Sequence, residues 1–548
     1  MAPSSTVPRD APSPRARPAD APPGSSAGQR LCAWAYLNRE FRDQVLRDVY
    51  SARARLVAPS HGFDVVPVLR HAWRAWWLET GACLLTLAVF GVGFVLVPLD
   101  TLITVDLLVI WGLLRVWLRW VREFVGYGEP LNSPGLDQVD LPRDRRLRLN
   151  GRLLKYSLVF SLAVLLMLVL MSAVSGPGGS LPARLEDTGL GVTVIAAATA
   201  AVVALGAGAD AFCLARSQLA ATMPGRVGRR MRSIDQQQHH PVVVHTGHKP
   251  FVGSGNQVRS WSFAQRLVRA PADQPAPGPG QEFDRPPFSA QKLIDRLRQS
   301  ILDLRDDRDP ETELPGLRVA DEVFVDSAYA TAPDLASALT ANADADAVNS
   351  AIARAIANPG DVARHYLAVR VESWGGHIVT SVFVHVSLQG RTLYLEFATY
   401  ALFPVKVEPG APAVPAAIGA VLARLPERLL ASWRIVRLPA LFLPALRRGG
   451  AGTDTSLREA MMMDAEVRFR EEPERSYFQV QDVAQHSKII ERRLIAAVDE
   501  FLFEVGVDTS EFTARTTQIL NTGVMNFGSG DVNVENSAVG PNATAAAQ

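Results

Sequence analysis

The chain has 548 residues, and its 56 basic and 55 acidic side chains nearly cancel to a net charge of +1. So even a balance offers no electrostatic footprint for nucleic acid, and no such partner is expected. Three cysteines, Cys32, Cys83 and Cys213, are too few and too scattered for a disulfide framework or a thiolate zinc site. Mean hydropathy is +0.08 although 20% of residues are charged, so the apolar residues must be clustered, as in a membrane protein with soluble parts.

Residues 1–28 are mostly Ala, Pro, Ser and Arg and are expected to be disordered, because they cannot bury enough surface to offset their ordering entropy. They contain no apolar core of a signal peptide. Residues 29–78 read as a cytoplasmic amphipathic helical segment. Within Leu31–Leu56, the residues Leu37, Phe41, Val45 and Val49 recur every fourth position, one stripe on one helix.

Four membrane spans are expected in 79–215, at about 80–98, 101–120, 155–175 and 189–212. Gly81–Pro98 is eighteen residues without a charge, Tyr156–Ser175 twenty, and Gly189–Ala209 twenty-one. The second run, Leu102–Leu118, is interrupted by Asp106 and Arg115. Pro98-Leu99-Asp100-Thr101 has the breaker and polar residues of a tight turn between the first two spans. Ala197, Ala201, Ala204 and Gly208 form a small-residue stripe suited to close helix packing.

Arginine placement sets the expected orientation. The stretch between the second and third spans carries Arg143, Arg145, Arg146 and Arg148, and Arg226, Arg229, Arg230 and Arg232 follow the fourth; only Arg184 lies between the third and fourth. A Lys/Arg excess marks cytoplasmic loops, which gives a multi-pass protein of the cell membrane with both termini cytoplasmic and the lipid bilayer as its first partner. Asp106 is the one acid inside these four apolar runs, and a carboxylate costs about 2.5–3.5 kcal/mol at mid-bilayer. With Thr101 and Thr104 it forms a candidate intramembrane polar site. An interfacial position five residues from the turn is its simplest explanation; an ion or proton path is the functional alternative.

Residues 216–478 read as a cytoplasmic α+β domain with a proline-rich connection at 271–287. Pro241–Gly247 is strand-like. His239, His240, His245 and His248 lack the spacing and partners of a metal site. Gly253-Ser254-Gly255 is a tight turn rather than a phosphate loop, since no Walker-type lysine follows. Ser289 caps a helix reaching Asp306, with Leu293, Leu297, Ile301 and Leu304 on one side. Arg318–Val325 alternates as a strand. Asn342, Asp344 and Asp346 lack the glycine and final glutamate of a calcium loop.

Arg364–Leu402 reads as a three-strand antiparallel meander turning at Gly375-Gly376 and Gln389-Gly390. Its apolar face (Leu367, Val369, Val371) requires a cover, for which a helix at 414–434 is available. Residues 435–448 either touch the inner leaflet or pack in a core. No G-x-S-x-G, H-E-x-x-H or Cys-His pairing occurs, so no catalytic residue, cofactor or metal is assigned, and the chain is read as a non-catalyst.

Residues 479–520 carry the C-terminal helices. Ile490, Leu494, Val498, Phe501 and Val505 line one side of the first, Gly506 stops it, and Asp508 or Thr509 caps the second. Residues 521–548 form an Asn/Gly-rich tail in which apolar and Asn residues alternate on either side of Gly528-Ser529-Gly530. It is either a soluble polar tail or a β-arch whose asparagines stack between copies, giving a homo-oligomer or a tail-docked protein partner. The fold class is therefore an α-helical transmembrane part of two hairpins and four spans, joined to an α+β domain with an antiparallel meander, between a disordered N-terminus and this tail.

The helix around Leu37–Leu46, the run Ala58–Ala72, the four spans, Pro250–Phe263 and the meander together resemble a group of uncharacterised actinobacterial multi-pass membrane proteins. That resemblance implies no activity. The tail from Ile519 to Ala543 resembles the amyloid signalling motifs of bacterial and fungal immune proteins. It implies ladder and turn roles for Asn521, Gly523, Asn526, Gly530, Asn533, Asn536 and Gly540. Together these readings make the chain a membrane-bound scaffold or signalling component, with a transporter or channel using Asp106 as the alternative and a membrane-tethered enzyme third.

Overall fold

The computed structural model describes residues 26–51, 56–126, 181–219, 228–245, 249–270, 282–305, 313–330, 343–404, 464–465 and 476–521, with scattered positions between 157 and 171 and between 335 and 339. In chain order the elements are α1 (Ser26–Leu37), α2 (Arg39–Val45), β1 (Leu56–Val57), α3 (Val65–Leu96), α4 (Pro98–Gly126), α5 (Leu181–Leu219), α6 (Arg229–Gln238), β2 (Val242–His245), β3 (Asn256–Arg266), α7 (Ala290–Arg305), β4 (Leu317–Asp326), α8 (Ala345–Ala357), β5 (Ala363–Ser373), β6 (Ile378–Gln389), β7 (Thr392–Leu402), β8 (Asp464–Ala465), α9 (Tyr477–Glu504) and α10 (Ser510–Asn521). They fall into two units. A helical unit comprises Trp73–Arg216 and Pro412–Leu443; a sheet unit comprises Met1–Ala72, Ser217–Ala411 and Pro444–Gln548.

Long apolar helices build the helical unit. α3 runs for 32 residues and α5 for 39, and both are long and apolar enough to cross a membrane. α4 has 29 residues, and the described positions between 157 and 171 are helical. Both long helices outrun their predicted spans, because α3 continues back through the Val65–Ala72 stretch and α5 takes in Arg184, Glu186 and Asp187. The turn between α3 and α4 is also tighter than expected. Val97 alone separates them, and Pro98 takes the first helical position, where its missing N–H is no loss.

Glycines set the close approaches in this unit. The Thr101 hydroxyl lies 2.7 Å from where a Cβ on Gly93 would sit, and the Asp100 carboxylate fills the space beside Gly191. Within a single chain the predicted small-residue stripe is not the packing face of α5. Ala197, Ala201, Ala204 and Gly208 are exposed, whereas Ile195, Thr199, Val203, Ala207 and Asp210 are buried on the opposite side.

The sheet unit centres on six strands in the order β2-β4-β5-β6-β7-β3, parallel between β2 and β4 and antiparallel elsewhere. Alternation splits each strand between two faces. The first face packs Leu367, Val369 and Val371 with Val382, Val384 and Val386 and with Leu393, Leu395 and Phe397. α7 and α9 cover it through Leu293, Leu297 and Ile301 and through Ile490, Leu494, Val498 and Phe501. The cover foreseen from 414–434 lies outside the described residues, as do 435–448 and most of the proline-rich connection.

Several predicted boundaries move for local reasons. Helix α1 starts at Ser26, inside the stretch expected to be disordered; residues 1–25 lie outside the described residues. The single helix expected over 31–56 breaks at Asn38, whose side chain caps α2 by accepting from the Phe41 N–H at 3.0 Å, and ends in a π turn, Leu46–Tyr50. Ser373 pairs with Ile378, so the first meander loop holds four residues rather than two, with positive φ at Trp374, Gly375 and Gly376. The second loop is Gly390-Arg391, one residue beyond the prediction, with φ +60° at Gly390 as a type II′ turn requires. Ser289 and Gly506 bound α7 and α9 as their sequence signals say, while α9 starts earlier than the expected Gln479, at a capping box of Ser476 with Gln479.

Candidate functional site

In the helical unit, Asp106 meets a partner on another apolar stretch. Its Oδ1 accepts from the Ser161 hydroxyl at 2.6 Å, while its Oδ2 is buried with no hydrogen-bond partner among the described residues. Thr101 and Thr104 do not join it. Their hydroxyls donate to the carbonyls of Val97 and Asp100 at 2.9 and 2.7 Å, four residues back in the chain. Asp210 in α5 is more deeply buried than the half-buried Asp106, and it escaped notice because it lies one position past the uncharged run Gly189–Ala209. Of the assembly residues, Asn521 ends α10, and Gly523, Asn526, Gly530, Asn533, Asn536 and Gly540 lie outside the described residues.

The sheet unit holds its polar groups in cross-strand clusters. On the first face, Asp321 accepts from His365 Nε2 at 2.9 Å and from Arg298 of α7 at 2.6 and 2.8 Å. Burial raises the Asp321 carboxyl, but these two partners outweigh it and hold the group below the usual carboxylate range. Arg259 and Trp261 of β3 both donate to Glu491 of α9, whose carboxyl is nevertheless pushed up by burial. Among the described residues no group of three or more metal-ligating side chains occurs. The Cys32 thiol is buried and pushed up to about 12, which leaves it unreactive.

The second face is half apolar and half polar. Phe251, on the loop before β3, stacks on Phe383 with ring centroids 4.1 Å apart and also meets Phe324, Tyr366 and Tyr400. Gly253 and Gly255 let this loop approach closely, since both have positive φ and a Cβ on either would strike a backbone carbonyl, of Pro59 and Ala401 respectively. Beside it Arg370 reaches past the small Ala368 to Glu322 in two parallel hydrogen bonds of 2.6 and 2.7 Å, the pair being buried together.

The polar half is a grid set by strand register. Glu322 pairs with Tyr366, and His385 pairs with Glu396, which in turn pairs with Ser262; one row along, Ser387 and Ala264 both pair with Tyr394. The Tyr366 hydroxyl reaches Glu396 Oε2 at 3.4 Å across His385, whose ring lies 5.1 Å from that of Tyr366. His385 Nδ1 is 2.7 Å from the His365 carbonyl oxygen. A carbonyl only accepts, so Nδ1 carries the proton and Nε2 keeps its lone pair. Burial lowers the affinity of this imidazole for a second proton and pushes the Glu396 carboxyl up. Arg364 is exposed at the edge of the grid, and its charge acts on Tyr366, His385 and Glu396, partly offsetting the burial of the Glu396 carboxyl.

Sequence reading missed this grid. Its residues are ordinary strand residues, and only pairing between β5, β6 and β7 brings them together. The alternation of the three strands carried the signal, but their register did not become legible without the turns. No curated protein and no solved structure matches the chain. Residues 260–533, half of the chain, match the model of the AbeC-like domain; they take in most of β3 and run through β4–β8 to α10, and the chain belongs to that family.

Proposed function

We propose that the chain is a membrane-anchored scaffold or signalling component of the cell membrane. Four spans hold it, both termini are cytoplasmic, the sheet unit is the interaction domain, and the tail from Asn521 mediates self-assembly or partner docking. The observation that carries this reading is apolar exposure. Val95, Leu96 and Leu205 are 80%, 72% and 75% exposed, and only 22% of the most apolar eighteen-residue window in each of α3 and α5 is buried. Apolar exposure on this scale is unusual in water and ordinary in lipid. The arginines after α4 and α5 support the orientation.

Alkaline carbonate extraction of membranes from expressing cells, with a reporter fused after Gln548, tests the anchoring. Retention in the pellet and an internal reporter are expected; release into the supernatant would remove the proposal. Seeded fibre growth by a 516–548 peptide tests the tail separately, and a soluble, unstructured peptide would leave only the anchored domain.

A second reading is transfer of a proton or cation past Asp106, favoured by its buried, unpartnered Oδ2 beside Ser161. Flux into proteoliposomes that Asp106→Asn abolishes would support it. The threonine hydroxyls weigh against it, because they are turned onto their own helix.

A further inference from the structure

Nothing in the anchoring argument uses the polar grid on the second sheet face, yet its parts complement a particular ligand chemistry. Glu396 offers carboxylate oxygens, and His385 offers the Nε2 lone pair that its bond to the His365 carbonyl leaves unprotonated. Tyr366 and Tyr394 flank these two acceptors, with the Tyr394 ring 6.3 Å from that of His385. Arg364 stands on the same face, exposed, and near enough for its charge to act on Glu396 and His385. On the β3 side, Ser260, Ser262 and Ala264 are short and exposed, so that flank of the grid is open.

We propose that Arg364, Tyr366, His385, Tyr394 and Glu396 bind a small zwitterion carrying an ammonium and a carboxylate, an α-amino acid or its chemical equivalent. The ammonium donates to Glu396 and to His385 Nε2, and the carboxylate takes the Arg364 guanidinium. With Glu322 and Arg370 neutralising each other, one remaining acid and one remaining base match a ligand that is itself neutral overall. A simple cation would be repelled by Arg364 and a simple anion by Glu396. An ammonium also relieves the burial that raises the Glu396 carboxyl.

The experiment uses the full chain in lipid nanodiscs, probed with L-alanine, L-leucine, L-phenylalanine, L-lysine and L-glutamate at millimolar concentration. Saturation-transfer NMR and the thermal unfolding midpoint are the readouts. At least one of the five is expected to bind and raise the midpoint, while its N-acetyl and methyl-ester forms, which lack the ammonium or the carboxylate, do not. Glu396→Gln and Arg364→Gln should each weaken that binding about tenfold or more. Arg364 is exposed, so its variant remains informative even where Glu396→Gln fails to fold. Absence of binding by all five probes, equal binding of the blocked forms, or undiminished binding by Arg364→Gln would overturn the proposal.

Discussion

The two units partner their buried charged side chains in different ways. In the sheet unit, Glu322 is paired with Arg370, Asp321 with His365 and Arg298, and Glu491 with Arg259 and Trp261, each across different strands or helices. In the helical unit the Asp106 oxygen Oδ1 takes only the Ser161 hydroxyl among the described residues, and Thr80, Thr86, Thr101, Thr104 and Thr199 each return the hydroxyl to a carbonyl four residues back, as Ser487 and Thr516 also do in the sheet unit. A water-exposed domain can gather side chains from distant positions as it folds. A helix of the kind proposed to lie in lipid must satisfy its backbone polar groups within itself. The contrast predicts opposite responses to the same kinds of substitution.

The largest expected effect lies in the sheet unit. Arg370→Met strands the Glu322 carboxylate in the interior and should cost about 3–5 kcal/mol in denaturant unfolding of the full chain in micelles, while Glu322→Leu combined with Arg370→Met should recover most of that loss. A double variant as unstable as the single one would show that the pair does more than satisfy itself. Next comes Leu205→Arg in α5. Exposed in water, this change would be neutral; in lipid it should oppose insertion by about 2.5–3.5 kcal/mol and lower the carbonate-resistant fraction.

Glycines sharpen the same comparison at a smaller scale. Gly390 has open space around its missing Cβ, so Gly390→Ala costs only the left-handed strain, about 1–2 kcal/mol in the same unfolding experiment. Gly93→Ala should disturb the α3–α4 contact through Thr101, whereas Gly91→Ala, with nothing nearby, should be neutral or gain about 0.5–1 kcal/mol of helix propensity. Thermal unfolding in micelles separates the two.

The smallest effect is a pH dependence. The folded pKa of His385 lies below its ordinary value of 6.5, so its contribution to stability is complete above that value and is lost as pH falls through the folded pKa. Stability of the sheet unit should therefore decline below about pH 6.5 more steeply in the parent chain than in His385→Gln. Identical slopes would remove His385 from the acid response.

Local signals were legible before any coordinates. Alternation over Arg364–Leu402 gives the three strands and the Leu367–Val369–Val371 face, and Ser289 and Gly506 mark helix ends, because a cap or a strand face depends on residues a few positions apart. Long uncharged runs likewise mark α3 and α5. Boundaries failed where a single side chain decided, as at Asn38, or where one residue of loop shifted a pairing, as at Gly390-Arg391. Tertiary structure alone brought Asp106 to Ser161, buried Asp210, turned the Ala197–Gly208 stripe outward and aligned Tyr366, His385 and Glu396. These pairings depend on strand register and on which helix faces meet, quantities set by contacts between residues tens to hundreds of positions apart, which no local pattern in the chain encodes.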